Sequence, residues 1–365
     1  MRRLCFCLIA LPLLACAPLI EDETPEVPEF GFGAPEVRTV AQSSSGLDVP
    51  RDLDFHPVRD ELWTVNRGFE GSVIYTELST PNQEALRRAD AFSNHFMAEV
   101  SAMAMGADDT FATCQESRNT YGGQTPPNDF MGPTLWPADL DIYAQVNQNL
   151  FGALGGSHLD MLHQSPNCMG IEHDSDNAFW VFDGENGHIV YYDFQVPHVY
   201  GGDDHSDGIV RRYDEVDVER VPDVPSHMAL DHETGVLYIA DTGTGRIIAM
   251  DTTSGEEAGN LFAFNEPLEE FTRYEGVDHW TVVPRGGTLE QPSGLALVDG
   301  RLFVTDHANG QIVAFSTQGE ELGRIDTGAD KIMGITVDAD GRLCFVDAGS
   351  DKLLRIVPEL DPLEM

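Results

Sequence analysis

Apolar residues in this chain come in short bursts separated by turn residues, and no apolar stripe of period 3.6 runs for any length beyond the N-terminal leader. That pattern predicts strands and excludes a helical repeat. Four segments share one layout: NCMGIEHDSDNAFWVFD (167–183), PSHMALDHETGVLYIAD (225–241), PSGLALVDGRLFVTD (292–306) and IMGITVDADGRLCFVD (332–347). Each reads as a small residue, a short strand, a turn, a second strand crowded with Val, Ile, Phe, Tyr or Trp, and a closing Asp. Two weaker copies precede them, PRDLDFHPVRDELWTVN (50–66) and SAMAMGADDTFATC (101–114). From the pivot residue to the closing polar residue the intervals are 14 for Asp52→Asn66, 12 for Ala102→Cys114, 13 for Gly170→Asp183, 14 for His227→Asp241, 12 for Gly294→Asp306 and 13 for Gly334→Asp347. Third strands are predicted over 189–194, 246–250, 311–315 and 353–357, and a fourth strand of the third unit over about 209–216.

A hairpin repeat of this length cannot bury both faces alone, whereas radial stacking of four-stranded blades does so and protects the edges. The expected fold is therefore all-β, a six-bladed β-propeller over residues 36–358. After 353–357 only a Pro-broken tail (359–365) remains, which leaves the last blade one strand short. The alternating segment EVRTVAQ (36–42) is expected to supply that strand and close the ring; the alternative is a loose N-terminal strand with an exposed edge. The repeat, most specifically PSGLALVDGRLFVTDHANGQIVAF, resembles the six-bladed propellers of the NHL-repeat, TolB-like class over about residues 37–358. The resemblance implies the fold and says little about activity.

The N-terminus adds an address. A basic start, Met1-Arg2-Arg3, precedes an apolar run over residues 4–15 that is short for a membrane span and ends in Leu13-Leu14-Ala15-Cys16. This looks like a bacterial lipobox, with 1–15 as signal peptide and Cys16 as the lipidated N-terminus; an ordinary secretory leader cut nearby is the alternative. Ala17 after the cysteine resembles sorting to the outer membrane, in a periplasmic or surface-exposed position, with the membrane as a partner through the lipid. Residues 16–35, with EDETPEVPEFGFGAP at 21–35, read as an acidic Pro-rich tether.

Composition narrows the partners. With 62 Asp+Glu against 21 Lys+Arg the formal charge is −41, while a hydrophobic fraction of 41% demands a folded core. Such a field repels phosphate backbones and disfavours nucleic acid. Of the six cysteines, Cys5 and Cys7 belong to the leader, Cys16 to the lipid, and Cys114, Cys168 and Cys344 to the fold. Cys114 and Cys168 flank the long excursion 115–167 and fall on the same face of neighbouring blades, so a bridge between them is geometrically reasonable; Cys344, inside an apolar strand, reads as a buried thiol.

In propellers of this type the residues at the start of each innermost strand, at or just before the pivot, gather on one face, here Arg51, Ser101, Met169, His227, Ser293 and Met333, with Asn66, Cys114, Asp183, Asp241, Asp306 and Asp347 nearby. The aspartates are expected to hold turn amides. His227 replaces a small residue and stands out as a site candidate, with Arg51 available to orient an anionic substrate. Histidines concentrate between 158 and 227: His158, His163, His173, His188, His198, His205 and His227. His158, Asp160 and His163, joined by Met169 and His227, would make a mixed N/O/S set suited to zinc or copper. Asp203, Asp204 and Asp207 between glycines suit a calcium ion, the alternative being a solvated acidic turn towards the rim.

No G-x-S-x-G elbow, Walker loop or dinucleotide glycine motif occurs. Metal-dependent lactonase propellers and peptide-amidating lyase propellers are the nearest enzyme analogies. PSHM (225–228), PSGL (292–295) and Pro166-Asn167-Cys168-Met169-Gly170 depart from their motifs, so neither catalytic set transfers. Two readings follow. One is a propeller that binds a small molecule or protein through the face built by 115–167 and the pivots, favoured because catalytic motifs are missing. The other is a metal-dependent lyase or hydrolase with His163 and His227 as ligands or acid/base groups.

Overall fold

The computed structural model describes residues 25–120, 123–338 and 340–358; the leader, Cys16 and the tail 359–365 lie outside the described residues. Six sheets surround one axis, as the repeat predicts. Blade one holds Pro50–Phe55, Glu61–Asn66, Gly71–Thr76 and Glu84–Arg88, and blade two holds Val100–Met105, Thr110–Gln115, Thr134–Pro137 and Asp160–Met161. Blade three is Cys168–Ser175, Ala178–Asp183, His188–Asp193 and Ile209–Tyr213; blade four is Met228–Asp231, Val236–Asp241, Arg246–Asp251 and His279–Val283. Blade five runs through Pro292–Val298, Arg301–Asp306, Gln311–Ser316 and Glu321–Asp326. Blade six takes Ile332–Val337, Leu343–Asp347 and Lys352–Val357 from the C-terminus and Glu36–Gln42 from the N-terminus, with Val37 opposite Ile356 and Thr39 opposite Leu354. The ring is closed by the strand that the sequence nominates.

Packing around the axis explains the small pivots. A Cβ on Gly170 would sit 2.0 Å from the Ser226 carbonyl oxygen, and one on Gly294 would sit 2.3 Å from that of Met333. Neighbouring innermost strands therefore approach backbone to backbone. Between the blades lie apolar wedges, such as Trp63, Phe111, Trp136 and Tyr143 between blades one and two. The closing residues tie each second strand to the segment leading into its own blade. Asn66 Oδ1 accepts from Asp48 N at 3.0 Å, Asp241 Oδ1 from Glu219 N at 2.9 Å, Asp306 Oδ1 from Gln291 N at 3.0 Å and Asp347 Oδ1 from Lys331 N at 2.9 Å. Their role is structural, as expected of an Asp at a strand end.

Cys114 and Cys168 are joined in a disulfide, with Cα atoms 5.1 Å apart, which links the second strand of blade two to the first of blade three. Cys344 is a buried free thiol, pushed up to about 12 by burial.

Two features depart from the sequence reading. The acidic segment is not an extended tether from residue 25 onwards: Val27 and Phe30 are buried, Phe30 meets the Phe303 ring edge at 5.7 Å, and Glu29 pairs with Arg301 at 2.6 Å. Two apolar side chains three residues apart outweigh the surrounding charge and prolines, and Gly323 leaves the room they occupy. Secondly, a hairpin of Glu256–Asn260 and Glu270–Glu275, inserted before the last strand of blade four, docks on blade three. Glu270–Glu275 pairs in parallel with Ile209–Tyr213, and Arg211 clamps Glu270 at 2.9 Å, extending that blade to six strands.

Replacing Gly170 by Ala forces backbone apart on both sides of the hub. Urea unfolding should show Gly170→Ala less stable by about 1–3 kcal/mol, the usual penalty of overpacking. An unchanged midpoint would mean that the pivots are not in close contact.

Candidate functional site

The pivots gather at one end of the hub, and all of them are buried. The Arg51 guanidinium is fully covered and donates through Nη2 to Glu116 Oε2 at 3.0 Å. Glu116 Oε1 accepts in turn from Arg220 Nη1 at 2.6 Å and from Asp223 N at 2.9 Å, while Arg67 bridges Asp223 and Glu99. Burial draws Arg51 below the usual guanidinium range, and Glu116 opposes that shift. This network seals the mouth at which the sequence placed an anionic substrate. Arg51 is spanned by protein rather than presented to a cleft.

Below the seal runs a cavity of about 240 Å³ lined by the innermost strands of all six blades. His227 reaches it with Nδ1 3.3 Å from Asp52 Oδ2. Burial, reinforced by the charge of Arg51, brings His227 down to about 3, so its imidazole is neutral. Three carboxylates line the same wall, and each accepts from the next blade's innermost strand. Met103 N donates to Asp52 Oδ2 at 2.8 Å, Met105 N to Asp54 Oδ2 at 2.9 Å, and Leu230 N to Glu172 Oε1 at 3.1 Å. Burial raises Asp52 well above the usual carboxylate range, Asp54 to about 6 and Glu172 to about 8, the last helped by the charge of Asp54. Sequence reasoning missed Asp54 and Glu172. The available signal was their position two residues after the pivot, where the other copies carry Ala104, Ala229, Ala296 and Thr336.

His158 and His163 do not join His227. The excursion 115–167 returns HLDMLH along the outer strand of its own blade, Asp160–Met161, so these histidines stand at the outer edges of blades two and three while His227 and Met169 stay at the axis. The set of His158, His163, Met169 and His227 is therefore not a metal centre. His158 is occupied by loop anchoring: its Nδ1 lies 2.8 Å from the Gly155 carbonyl and its Nε2 3.1 Å from that of Gly202, its ring stacks on Phe96 at 3.9 Å, and burial brings it down to about 3. The acidic turn does sit before the outer strand of blade three, but its carboxylates diverge. Asp204 accepts from Ser206 N at 3.3 Å and Asp207 from Val196 N at 3.1 Å, while Asp203 is exposed. Asp203, Asp204 and Asp207 form no oxygen cage for calcium, because each serves its own turn.

The rim histidines instead line a second cavity of about 310 Å³ with Phe130, Asp203, Glu266 and Pro267. Its wall comes from the excursion, the loop before the outer strand of blade three, and the tip of the inserted hairpin. His163 is nearly fully buried, lies flat on Phe130 at 3.6 Å, and holds Nδ1 2.8 Å from Glu266 Oε1. The same carboxylate accepts from His163 N at 3.2 Å, which fixes the ring from two directions. His163 Nε2 has no partner among the described residues. Beside it His205 Nδ1 lies 2.6 Å from Asp160 Oδ1, and the donor atoms of Asp160, His198 and His205 fall within 4.8 Å of one another. The carboxylate of Asp160 holds His205 above its ordinary value against the opposing effect of burial. His198 and Glu266 were not singled out from sequence.

No protein-family model and no curated protein sequence matches this chain. Solved structures do match in fold. An auxiliary nutrient binding protein from Bacteroides ovatus superposes with a TM-score of 0.55 at 11% identity, covering 88% of this chain and 76% of that one. A gluconolactonase from Xanthomonas campestris gives 0.51 at 15% identity over 92% of this chain and 95% of that one. A luciferin-regenerating enzyme gives 0.51 at 11% over 89% and 95%. These likenesses place the chain among six-bladed propellers and in nothing narrower.

The hub carboxyls predict a pH dependence. Between the ordinary Glu value near 4.5 and about 8, folded Glu172 keeps a proton that the unfolded chain has lost. Its contribution to stability is thus complete at low pH and declines as pH rises through that window. Glu172→Gln, which keeps an acceptor for Leu230 N, should raise the melting temperature relative to the native chain at pH 8 and leave it nearly unchanged at pH 4.5. Equal effects at both values would sink the assignment.

Proposed function

We propose that this protein is an envelope-anchored binding propeller that takes a small polar molecule in the rim cavity of blades two and three, rather than a hydrolase working at its hub. The observation that carries this is His163: a buried imidazole clamped by Phe130 and Glu266, whose Nε2 has no partner among the described residues and which lines a cavity. A buried polar atom without a partner is expensive, so a bound group that pairs with it gains affinity at no extra ordering cost to the ring. The cavity is at the small end of ligand pockets and mixes aromatic faces with imidazoles and carboxylates, a lining suited to a polyol or hydroxy acid. At the axis Arg51 is covered and taken up by Glu116, and burial keeps His227 neutral and weakly basic, which argues against acid/base work there. A binding role is of the kind named for the Bacteroides ovatus propeller. Anchoring rests on the leader and lipobox at residues 1–16, which support an outer-membrane lipoprotein.

Calorimetric titration of the purified protein with a panel of sugars, sugar acids and their lactones should give saturable binding of at least one member. The affinity should fall at least about 10-fold in His163→Ala, the size of one lost hydrogen bond to a buried group, and stay unchanged in His227→Ala. Lactone turnover abolished by His227→Ala, with no binding sensitive to His163, would overturn the reading. For the anchor, the full chain expressed in a bacterial host should partition into detergent with an acylated N-terminal cysteine. Cys16→Ser should remain in the aqueous phase; an unmodified native N-terminus excludes the anchor.

A further inference from the structure

We infer that Asp160, His198 and His205 form a binding site for a divalent transition-metal ion of the zinc class, beside the rim cavity that His205 lines. The three residues come from two blades: Asp160 from the outer strand of blade two, His198 and His205 from the loop that leads into the outer strand of blade three. That loop is held in place without a metal. Gly155 N donates to the Gly201 carbonyl at 2.8 Å and Gly201 N to the His158 carbonyl at 2.8 Å, so the donors are brought together by the fold and not by a mobile surface turn.

The unpaired atoms point to a cation. Asp160 is fully buried; Oδ1 meets His205 Nδ1 at 2.6 Å, while Oδ2 has no partner among the described residues. His198 Nδ1 lies 2.8 Å from the Val199 carbonyl, an acceptor only, so Nδ1 carries the hydrogen and Nε2 presents a lone pair. That Nε2 is buried and has no partner among the described residues either. A backbone carbonyl fixing the far nitrogen is the usual support of a ligating imidazole. Two buried acceptor atoms without a donor are costly, and a cation ligated by both removes that cost. His163 adds a third buried atom, Nε2, without a partner among the described residues, its ring 5.8 Å from that of His205.

Two imidazoles and one carboxylate select the metal class. Calcium and magnesium take six or more oxygens, whereas this set matches three-ligand zinc-type centres with a position left open. Ligand atoms around such an ion stand about 3.4 Å apart when each bond is about 2.1 Å. The present 4.8 Å limit is thus met by a small rotation of the partly exposed imidazoles. Because His205 also lines the cavity, the open position faces the volume assigned above to the ligand, and only this last step rests on that assignment.

The test uses the purified protein stripped with a chelator and titrated with Zn²⁺ alone, with Co²⁺ as a spectroscopic probe. One equivalent of Zn²⁺ should bind, and Co²⁺ should show the visible absorption of a low-coordinate nitrogen–oxygen site. His198→Gln and His205→Gln, both at partly exposed positions, should each weaken Zn²⁺ by at least about 100-fold, beyond the 10–100-fold effect of losing an outer-shell partner. Asp203→Asn and His227→Ala should leave Zn²⁺ affinity unchanged, and unaltered thermal melts of the metal-free variants show that the fold survives. Absence of stoichiometric Zn²⁺, Zn²⁺ uptake that persists in the double His198→Gln/His205→Gln variant, or Ca²⁺ binding as tight as Zn²⁺ would each overturn the inference. Zn²⁺ binding without any organic ligand removes the cavity reading and keeps the metal site; ligand binding without Zn²⁺ uptake does the reverse.

Discussion

Six innermost strands crowd one axis, and none of them shares a sheet with its neighbour. Their free edges, which face the axis, still carry amide groups that need partners in a buried place. Two devices meet this constraint. Glycine pivots let the carbonyl and amide of adjacent blades meet directly, as where Ser226 N donates to the Met169 carbonyl at 2.9 Å and His227 N to that of Ser293 at 3.0 Å. Elsewhere a carboxylate crosses the gap: Asp52 and Asp54 serve blade two, and Glu172 serves blade four. The polar groups of the hub are thereby largely spent on holding the blades together, which limits what chemistry they can do.

A second open volume with gathered titratable groups arises where insertions overhang the blades. The excursion 115–167, stapled at its base by the Cys114–Cys168 bridge, forms one wall. The hairpin borrowed from blade four forms another, since Gln164 Nε2 donates to the Phe264 carbonyl at 3.0 Å and His163 pairs with Glu266. Three blades therefore contribute to one cavity, although their segments are separated by about a hundred residues along the chain. Geometry of this kind favours recognition, because the ligand's neighbours are held by sheet edges and a disulfide rather than by a single loop.

The parts of this molecule that were legible in sequence are those governed by local repetition. Pivot spacing, closing aspartates and the unpaired last blade follow from a hairpin copied six times, and EVRTVAQ fits the vacancy because its alternation matches Lys352–Val357. The bridge was legible because Cys114 closes the second strand of one copy and Cys168 opens the first strand of the next, which puts both on one face of adjacent blades. What escaped depends on segments outside the repeat. Glu256–Asn260 is exposed along its length, so it carries no apolar alternation to betray a strand. Val27 and Phe30 look incidental among glutamates and prolines until Phe303 is placed beneath them. His198 and Asp160 meet only because blade three follows blade two around the ring, a proximity that no spacing rule encodes. His227 misled for the opposite reason: its position at the axis was legible, but the seal above it was not.

The same constraint revises the electrostatics. The formal charge of −41 treats every acid as ionised. Burial raises all three hub carboxyls: Glu172 to about 8, so that it keeps its proton near neutrality, Asp54 to about 6, and Asp52 well above the usual carboxylate range. A channel lined by acids thus resembles a cation path only on paper. Its acids are spent as hydrogen-bond acceptors for the neighbouring amides of Met103, Met105 and Leu230, facing Leu295, Leu297 and Ile335. The negative field of the protein belongs instead to its outer surface, where exposed carboxylates such as Asp203 and Asp204 stand beside the rim cavity. A cation approaching the molecule is drawn to that rim, the place where Asp160, His198 and His205 hold their donors together.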